Sequence, residues 1–488
     1  PGDLLRVPLR ASRVEAVVLE TLTHSPFAEK ARLLPPDPPL TRLGGEWVQL
    51  LRWVSARTFQ SGPSVAKAWL RLLPKKLAPW TTLVPKRGPR GMLATHWLAH
   101  PEQALIEHVR TLPKGTRVLI ITPYTTQAER IAERLQAPAL LSDDPKTAAA
   151  HTWREFTEGT SPLLVSTRVG AWLGLYAEEV FLLEPENDEH KQDELSPRFD
   201  ARLLVAWLYQ RVGVALTTFG RTPPLHVHER APAIDLHPQL LIRHSRGRSA
   251  IPGIDWQALE TFLDGDPTIP RLIIHPIRGM RARVQCRECG EVIACPVCRS
   301  ALRRRERDGW CDVCAHAHLL PETCPRCQGT AFSGSAAGID LLQQRWQAAE
   351  LPPVLWRDGS PVAIDQPLAQ HARVLVTQPA LLGGAAEDVR RNERLCRAYR
   401  TLASRVQEAE GELYLQVNET DAERWLHWLT PQGVEALLLQ ERQDRYTFRY
   451  PPSVRLVKLL VNDLPERLQA SVKTLSEAMR QAPEFLEC

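Results

Sequence analysis

Four Cys-x2-Cys pairs crowd into one short stretch of this chain, and they constrain its folding more than any other feature. Eight of the ten cysteines lie between Cys286 and Cys327. Zinc prefers four thiolates in a tetrahedron, and each pair supplies two of them from one tight turn. The spacing therefore predicts two structural Zn²⁺ ions, each closed by four cysteines and without the open position of a catalytic zinc. Disulfides or free thiols are the alternative, which four regular pairs in a reducing compartment disfavour.

The spacing does not fix which pairs share an ion. In a sequential arrangement only five residues, 290–294, would link two pairs on one metal. We favour a nested arrangement, in which the first pair joins the fourth and the second joins the third. The ligand sets are then Cys286, Cys289, Cys324 and Cys327 for zinc 1, and Cys295, Cys298, Cys311 and Cys314 for zinc 2.

Length and composition indicate an ordinary multidomain protein. At ~150 residues per domain, 488 residues predict three or four domains. The net charge of +5 permits nucleic-acid binding without requiring it. No apolar run is long enough to span a membrane, and the amino end lacks the layout of a signal peptide. We expect a cytoplasmic, nucleoid-associated monomer with no membrane partner.

Short apolar runs alternate with helical patterns on both sides of the cysteines. Residues 118–121, 163–165, 180–183 and 214–216 are such runs before them, and residues 374–376 and 413–417 follow. Strands separated by helices are typical of a parallel sheet covered on both faces. The sequence therefore predicts an α/β multidomain fold.

Several short motifs keep a fixed order around the cysteines. They are residues 2–8 (Gly-Asp-Leu-Leu-Arg-Val-Pro), 163–168 (Leu-Leu-Val-Ser-Thr-Arg), 191–192 (Lys-Gln), 198–202 (Arg-Phe-Asp-Ala-Arg), 377–378 (Thr-Gln), 388–394 (Asp-Val-Arg-Arg-Asn-Glu-Arg) and 449–452 (Arg-Tyr-Pro-Pro). In this order they resemble the primosomal replication-restart family PriA, whose members are helicase-like proteins that recognise stalled forks.

The resemblance implies two RecA-like helicase lobes around a two-zinc, eight-cysteine insert. It also implies a β-rich amino-terminal DNA-binding domain and a partial α+β carboxy-terminal domain. The expected segments are 1–76 (DNA 3′-end-binding-like domain), 77–92 (linker or remnant of a missing winged-helix region), 93–270 (first lobe), 271–335 (cysteine module), 336–430 (second lobe) and 431–488 (carboxy-terminal domain).

The family's phosphate-binding loop is degenerate in this chain. An ATP-driven helicase needs a loop ending in Gly-Lys-[Ser/Thr], whose amides and lysine hold phosphate. No Gly-Lys pair occurs in the sequence, and the corresponding residues 95–101 read Thr-His-Trp-Leu-Ala-His-Pro, with His100 near the end. A loop without the lysine cannot neutralise the phosphates in this way.

Two further nucleotide motifs depart from the family pattern. Its Asp-Glu-Glu-His motif, which binds magnesium, aligns with residues 184–187, where Glu184 and Glu186 are the acids. A shifted alignment onto Asp-Glu-His at 188–190 keeps acids near the strand end. In the arginine motif Arg405 is kept, whereas the expected second arginine is Glu408. The resemblance with these losses predicts a pseudo-helicase that has no catalytic residues and depends on neither ATP nor Mg²⁺.

DNA contact is expected from the front domain and from one segment of the first lobe. Arg6 lies in the family's DNA-binding strand, and Lys191, Arg198, Phe199 and Arg202 lie in a segment that in the family couples DNA contact to the ATP site. An aromatic ring between basic residues can stack on a base, although Phe199 as a core residue and the arginines as ordinary surface charges are the alternatives.

The implied partners are forked and single-stranded DNA, single-strand-binding protein, and the replicative helicase or its loader. Two other functions remain open at this point: an active 3′–5′ ATP-dependent helicase of the same family, and a zinc-ribbon factor of RNA or transcription machinery.

Overall fold

The computed structural model divides the chain into two compact units, Pro1–Thr222 and Pro223–Cys488. It describes residues 1–9, 12–24, 38–58, 60–70, 79–85, 91–192, 198–225, 227, 229–242, 254–277, 284–286, 288–289, 291–297, 301–305, 308–311, 316–334, 338–382, 389–454, 469–474 and 476–477.

The first unit opens with a small antiparallel sheet and two helices. Strands β1 (Asp3–Leu9), β2 (Ser12–Val17) and β3 (Thr41–Arg42) pair in the order β2-β1-β3, and helices α1 (Gly45–Thr58) and α2 (Gly62–Leu70) follow. The amphipathic pattern of α1 predicts a helix with one buried face, and Trp47, Leu50, Leu51 and Val54 are all buried.

A six-stranded parallel sheet forms the body of the first unit. Its strands are β4 (Leu93–Trp97), β5 (Val118–Ile121), β6 (Ala139–Leu140), β7 (Leu163–Ser166), β8 (Glu179–Leu183) and β11 (Ala215–Gly220), in the order β4-β11-β8-β5-β7-β6. Its helices are α3 (Pro101–Thr111), α4 (Thr125–Leu135), α5 (Lys146–Glu158) and α6 (Ala201–Val212). A short antiparallel pair, β9 (Lys191–Gln192) with β10 (Phe199–Asp200), precedes α6.

Both faces of this sheet are covered by helices. Leu119 and Ile121 of β5 belong to one core cluster, together with residues of α1, α5 and α6. Val118 and Ile120 belong to a second cluster, together with residues of α3 and α4. Successive strand residues point to opposite faces, so a strand buried on both sides needs the unbroken apolar run that the sequence shows.

The second unit contains a five-stranded parallel sheet. Its strands are β12 (Gln239–Ile242), β13 (Arg271–His275), β19 (Leu355–Asp358), β20 (Arg373–Val376) and β21 (Glu412–Val417), in the order β12-β21-β20-β13-β19. Its helices are α7 (Trp256–Leu263), α8 (Ile339–Ala348), α9 (Pro361–Asp365), α10 (Arg391–Glu408), α11 (Ala422–His427) and α12 (Pro431–Thr447).

Two small antiparallel elements lie in the cysteine-rich region of the second unit, and Cys286 and Cys311 end two of their strands. Strand β14 (Val284–Cys286) pairs with β18 (Phe332–Gly334), and β15 (Arg303–Arg305), β16 (Asp308–Cys311) and β17 (His316–Leu319) form a three-stranded sheet. They lie in the chain between β13 and α8, as the sequence predicts for an insert in an α/β body.

The predicted α/β fold with parallel sheets is confirmed, although the first sheet ends earlier in the chain than its expected segment. The first-lobe segment was expected to reach residue 270, whereas β12 pairs in parallel with β21 in the second sheet. A four-residue strand does not reveal its partner in the sequence, because the choice depends on which sheet edge is available. The alternating residues from Val454 to Val461 also predict a strand, but residues 455–461 lie outside the described residues. No helix in the described part of the chain has the length and apolar character to cross a membrane.

Candidate functional sites

Four of the predicted zinc ligands converge on one point. The ligand atoms of Cys286, Cys289, Cys324 and Cys327 all lie within 4.8 Å of one another. The Sγ–Sγ distance is 3.6 Å for Cys286 and Cys327, and 3.6 Å for Cys289 and Cys324. Tetrahedral zinc with Zn–S bonds of ~2.3 Å places its sulfurs about this far apart. The four residues therefore fit one metal ion, and they are the first and fourth pairs, as the nested arrangement requires.

Backbone groups support the thiolates of this cluster. The backbone N–H of Arg326 donates to Cys324 Sγ at 3.4 Å. Burial raises the pKa of the Cys324 thiol, but hydrogen bonds from the backbone of Cys327 and Arg326 outweigh it and lower the pKa to about 7. The pKa of Cys289 and that of Cys327 are raised instead. Cys324 is the cysteine of this cluster whose pKa is lowered, and the thiolate is the form that binds metal.

The second predicted set is described in part. Cys295 and Cys311 are fully buried and share a small core with apolar neighbours from the same module. Cys298 and Cys314 lie outside the described residues, so the second ion stays a prediction. Cys295 Sγ lies 3.4 Å from Nε2 of His318, a residue that the sequence analysis did not single out. The alternation of His316 and His318 directly after the third cysteine pair is the signal that could have identified it.

The residues at the position of the phosphate loop join β4 to α3 at the carboxyl edge of the first sheet. His100 precedes α3, which begins with Pro101 and therefore lacks one backbone donor at its first turn. Glu102 in that turn is 4 % exposed and is bound by Arg130, with an Nη2–Oε2 distance of 2.7 Å. The amino end of α3 thus already carries a buried carboxylate, which the helix dipole stabilises.

The two acids of the expected magnesium motif are bound by residues at the end of the neighbouring strand β11. Glu184 and Arg221 form a buried ion pair whose side chains are 4 % and 1 % exposed. Glu186 Oε1 accepts hydrogen bonds from the backbone N–H groups of Arg221 (2.9 Å) and Thr222 (3.2 Å). A Cβ added at Gly220 would collide with the ring of Trp97 and with the Glu186 carboxylate, so the ends of these strands are closely packed.

The segment after Glu186 is also held by internal contacts. The guanidinium of Arg202 donates to the backbone carbonyls of Pro185 (3.0 Å) and Asn187 (3.2 Å). His190 is buried, with Nε2 2.8 Å from the Leu183 carbonyl oxygen. Burial, and then the positive charge of Arg202, lowers the pKa of His190 to about 4. The alternative alignment at 188–190 therefore places a buried neutral imidazole beside the strand end.

The arginine kept from the arginine motif is paired within the second unit. Arg405 Nη2 lies 2.8 Å from Asp365 Oδ1, and Arg405 Nη1 lies 2.8 Å from Glu408 Oε2. The Arg405 and Asp365 side chains are 6 % and 2 % exposed. Glu408, at the position where the sequence analysis expects the second arginine, is thus a partner of Arg405.

The expected DNA contacts fall into different environments. Arg6 Nη2 on β1 lies 3.8 Å from Glu15 Oε1 on β2. Lys191 is half-buried and Arg198 is exposed. Phe199 is 7 % exposed and packs on Trp172, with ring centroids 5.3 Å apart.

Hydrogen bonds fix the backbone around these positions. Residues 191–192 and 199–200 pair as β9 and β10, which brings Lys191 opposite Asp200. Gln60 exchanges two hydrogen bonds with the backbone of Arg198, at 2.8 and 2.9 Å. Lys191 and Arg198 keep exposed surface for phosphate, whereas Phe199 and Arg202 are engaged internally. The DNA contacts themselves stay predictions.

No family model matches the chain, but curated relatives do. Proteins named "Replication restart protein PriA" match it from Synechocystis (24 % identity, covering 50 % of this chain and 34 % of the relative), Haemophilus influenzae (22 %, 70 % and 54 %) and Thermotoga maritima (22 %, 53 % and 36 %). The chain spans about a third to about half the length of the curated relatives it matches. All six curated relatives share this name, so the chain is PriA-like.

Among solved structures, one helicase aligns with most of the chain, but with a low TM-score. The NS3-like helicase from Alongshan virus covers 79 % of this chain and 97 % of its own, with 12 % identity and a TM-score of 0.36.

Proposed function

We propose that this PriA-like chain is a DNA-binding replication-restart protein that recognises branched forks and helps reload the replicative helicase without hydrolysing ATP. Single-strand-binding protein and the helicase or its loader are its proposed partners. The observation that carries the proposal is the buried Arg221–Glu184 ion pair at the carboxyl edge of the first sheet.

The pair supports the loss of magnesium binding. Mg²⁺ in a phosphoryl-transfer site is held by carboxylate oxygens and bridges the phosphates. Here Glu184 faces a guanidinium, and one oxygen of Glu186 accepts two backbone N–H groups. A cation entering this edge would have to displace the charge of Arg221 and break hydrogen bonds in a dry environment, which is strongly unfavourable.

The amino end of α3, at the position of the family's phosphate loop, supports the same proposal. A phosphate at a helix amino terminus relies on exposed backbone N–H groups and on the positive end of the helix dipole. In this chain Pro101 removes a donor, and the Glu102 carboxylate occupies the first turn of α3. A triphosphate at this helix end would therefore lack one backbone donor and approach a buried carboxylate that Arg130 already neutralises, and residues 95–101 contain no lysine to bind it.

The arginine motif, which lies in the second unit, also supports the proposal. An arginine finger is worth ~10³–10⁵ in rate because it is presented to the transferring phosphate. Arg405 is instead held by two carboxylates of its own unit. Releasing it would leave buried Asp365 without its cation, so the pair favours a structural role for this arginine.

A role in replication restart is supported by the name that the curated relatives share, and DNA binding is supported by exposed basic residues of the first unit such as Arg198. The test is titration of a fluorescent forked DNA with the purified chain at several salt concentrations, with ATP hydrolysis measured in the same tubes. We expect preference for the fork over single strands and structured RNA, a salt slope that reports several phosphate contacts, and no DNA-stimulated hydrolysis.

A matched pair of variants sharpens this experiment. Lys191→Ala with Arg198→Ala should weaken fork binding and reduce the salt slope by about two. Arg57→Ala, an exposed arginine elsewhere in the first unit, should leave both unchanged. Stronger binding to structured RNA would contradict the fork proposal, and DNA-stimulated hydrolysis would contradict the pseudo-helicase proposal.

A further inference from the structure

The three-stranded sheet of β15, β16 and β17 packs one of its faces on a small apolar core. Leu302, directly before β15, and Cys311, at the end of β16, are 1 % and 0 % exposed and belong to that core. Leu320, directly after β17, packs against it. A Cβ added at Gly309 would meet the side chains of Leu302 and Leu320, so this face of the sheet is filled.

The opposite face of the sheet is turned to solvent. Successive side chains of a strand alternate between faces, so Arg303, Trp310 and Leu319, each adjacent in sequence to a residue of the core side, lie on this second face. Leu319 is 88 % exposed, and Arg303 and Trp310 are half-buried. Neighbouring apolar side chains that remain accessible on a folded surface commonly mark a binding site.

The strand register places a cation beside the indole ring. Arg303 on β15 is directly opposite Trp310, and Ala317 on β17 is directly opposite it on the other side. Residues paired in this way have Cβ atoms about 4.5–5.5 Å apart. Ala317 is small and exposed, so the ring is bordered by a guanidinium on one side and by a short side chain on the other.

The charge of this region favours an anionic partner. Residues 299–307, which include β15, contain five arginines and one glutamate. Asp308, an acid on the same face as Trp310, is opposite Leu319 and therefore on a different side of the ring from Arg303 in the register. A partner that carries both a flat apolar group and a negative charge fits the ring and the Arg303 side together.

We propose that this sheet face binds single-stranded DNA, with one base stacked on Trp310 and a neighbouring phosphate bound by Arg303. Proteins that bind single strands combine aromatic rings, on which bases stack, with cations along the phosphates. The choice of DNA rests on the proposed function. The site itself belongs to the second unit, whereas the fork contacts Lys191 and Arg198 belong to the first.

The test is titration of a fluorescent oligothymidylate with the whole zinc-loaded chain at several salt concentrations. Trp310→Ala removes the ring, Trp310→Phe keeps a smaller ring, and Arg303→Gln removes the charge. Tyr446→Ala is the matched aromatic control, because Tyr446 on α12 is 78 % exposed. Leu319→Ala removes an exposed apolar side chain of the same sheet face that cannot stack on a base.

We expect Trp310→Ala to weaken binding about 5–150-fold, the effect of losing one stacked base. Trp310→Phe should keep most of the affinity. Arg303→Gln should lower the salt slope by about 0.7, the value for one phosphate of a single strand. Tyr446→Ala and Leu319→Ala should match wild type, and zinc content measured by mass spectrometry should be equal in all variants.

A second measurement needs no variant and decides the matter if Trp310→Ala loses zinc. Wild-type chain is irradiated with an oligothymidylate that carries 5-iodouracil, and the crosslinked peptide is identified by mass spectrometry. We expect the crosslink on the peptide that contains Trp310. Crosslinks on other peptides alone would contradict the inference.

The titration distinguishes failure of this inference from failure of the proposed function. Unchanged affinity in Trp310→Ala would contradict the inference alone if fork binding persists. A loss in Leu319→Ala as large as in Trp310→Ala would indicate a surface for apolar protein docking and would also contradict it. Tighter Trp310-dependent binding of oligouridylate would exclude DNA as the ligand. Trp310-dependent binding of oligothymidylate without preference for a fork would support the inference and contradict the proposed fork recognition.

Discussion

Replacing Arg221 by methionine should destabilise the first unit strongly, because it leaves a buried carboxylate without its cation. Methionine keeps most of the volume, so the lost interaction is mainly electrostatic. Arg221 and Glu184 are 1 % and 4 % exposed, which places them among buried pairs. Removing one partner of a buried pair costs about 3–5 kcal/mol.

Urea unfolding followed by circular dichroism measures this effect. With a denaturant dependence of about 3 kcal/mol per M for a unit of this size, we expect the midpoint of the affected transition to fall by about 1–1.7 M. Arg154→Met is the matched control. Arg154 Nε lies 2.8 Å from Glu158 Oε1, but the two side chains are 38 % and 24 % exposed. Such exposed pairs on a helix contribute only about 0.3–0.5 kcal/mol.

A double variant separates charge pairing from general damage. In Arg221→Met with Glu184→Gln neither buried charge remains, so the double variant should cost less than the sum of the two single variants by about 1.5 kcal/mol or more. A midpoint unchanged in Arg221→Met, or strictly additive costs in the cycle, would refute the view that Arg221 neutralises this edge of the sheet.

Three further predictions follow from buried residues. Arg405→Met should lower the stability of the second unit by about 3–5 kcal/mol, because it leaves the buried Asp365 carboxylate without a cation. A thermal stability equal to that of the wild type would contradict this. The pKa of His190 is lowered to about 4, by burial first and then by a neighbouring arginine. The unfolded chain therefore binds more protons between about pH 6.5 and pH 4, and stability should fall through this window as the pH falls, by about 3 kcal/mol. In His190→Gln the free energy of unfolding should depend less on pH between pH 7 and pH 4. An equal pH dependence in the variant would show that His190 is not its cause. Phe199→Ala should cost about 3–5 kcal/mol through lost packing, whereas Arg198→Ala should weaken fork binding with unchanged stability; the opposite pattern in paired unfolding and binding assays would make Phe199 a DNA contact.

Much of the fold could be predicted from short, strongly apolar runs. Residues 118–121 read Val-Leu-Ile-Ile and form β5 with all four side chains buried. Such a run can be satisfied only by a strand covered on both faces. The cluster of Cys286, Cys289, Cys324 and Cys327 was predictable for a similar reason, because paired cysteines at fixed spacing have few chemical uses.

The partners of the buried charges could not be predicted, because they depend on strand order and helix packing. Arg221 is 37 residues from Glu184, and the two meet only because β11 lies beside β8 in the sheet. Asp365 is likewise 40 residues from Arg405. The family resemblance predicts degenerate nucleotide motifs, but the sequence gave no sign that Glu184 would pair with Arg221 or Arg405 with Asp365.

A replication-restart protein without ATP hydrolysis, as proposed here, should have no nucleotide site in its first unit. Isothermal titration of the purified, zinc-loaded chain with Mg·ATP, with and without forked DNA, tests this claim most directly. We predict no saturable binding up to about 1 mM, the upper end of ordinary substrate affinities. Saturable binding of one Mg·ATP per chain, weakened by Glu184→Gln, would contradict the account.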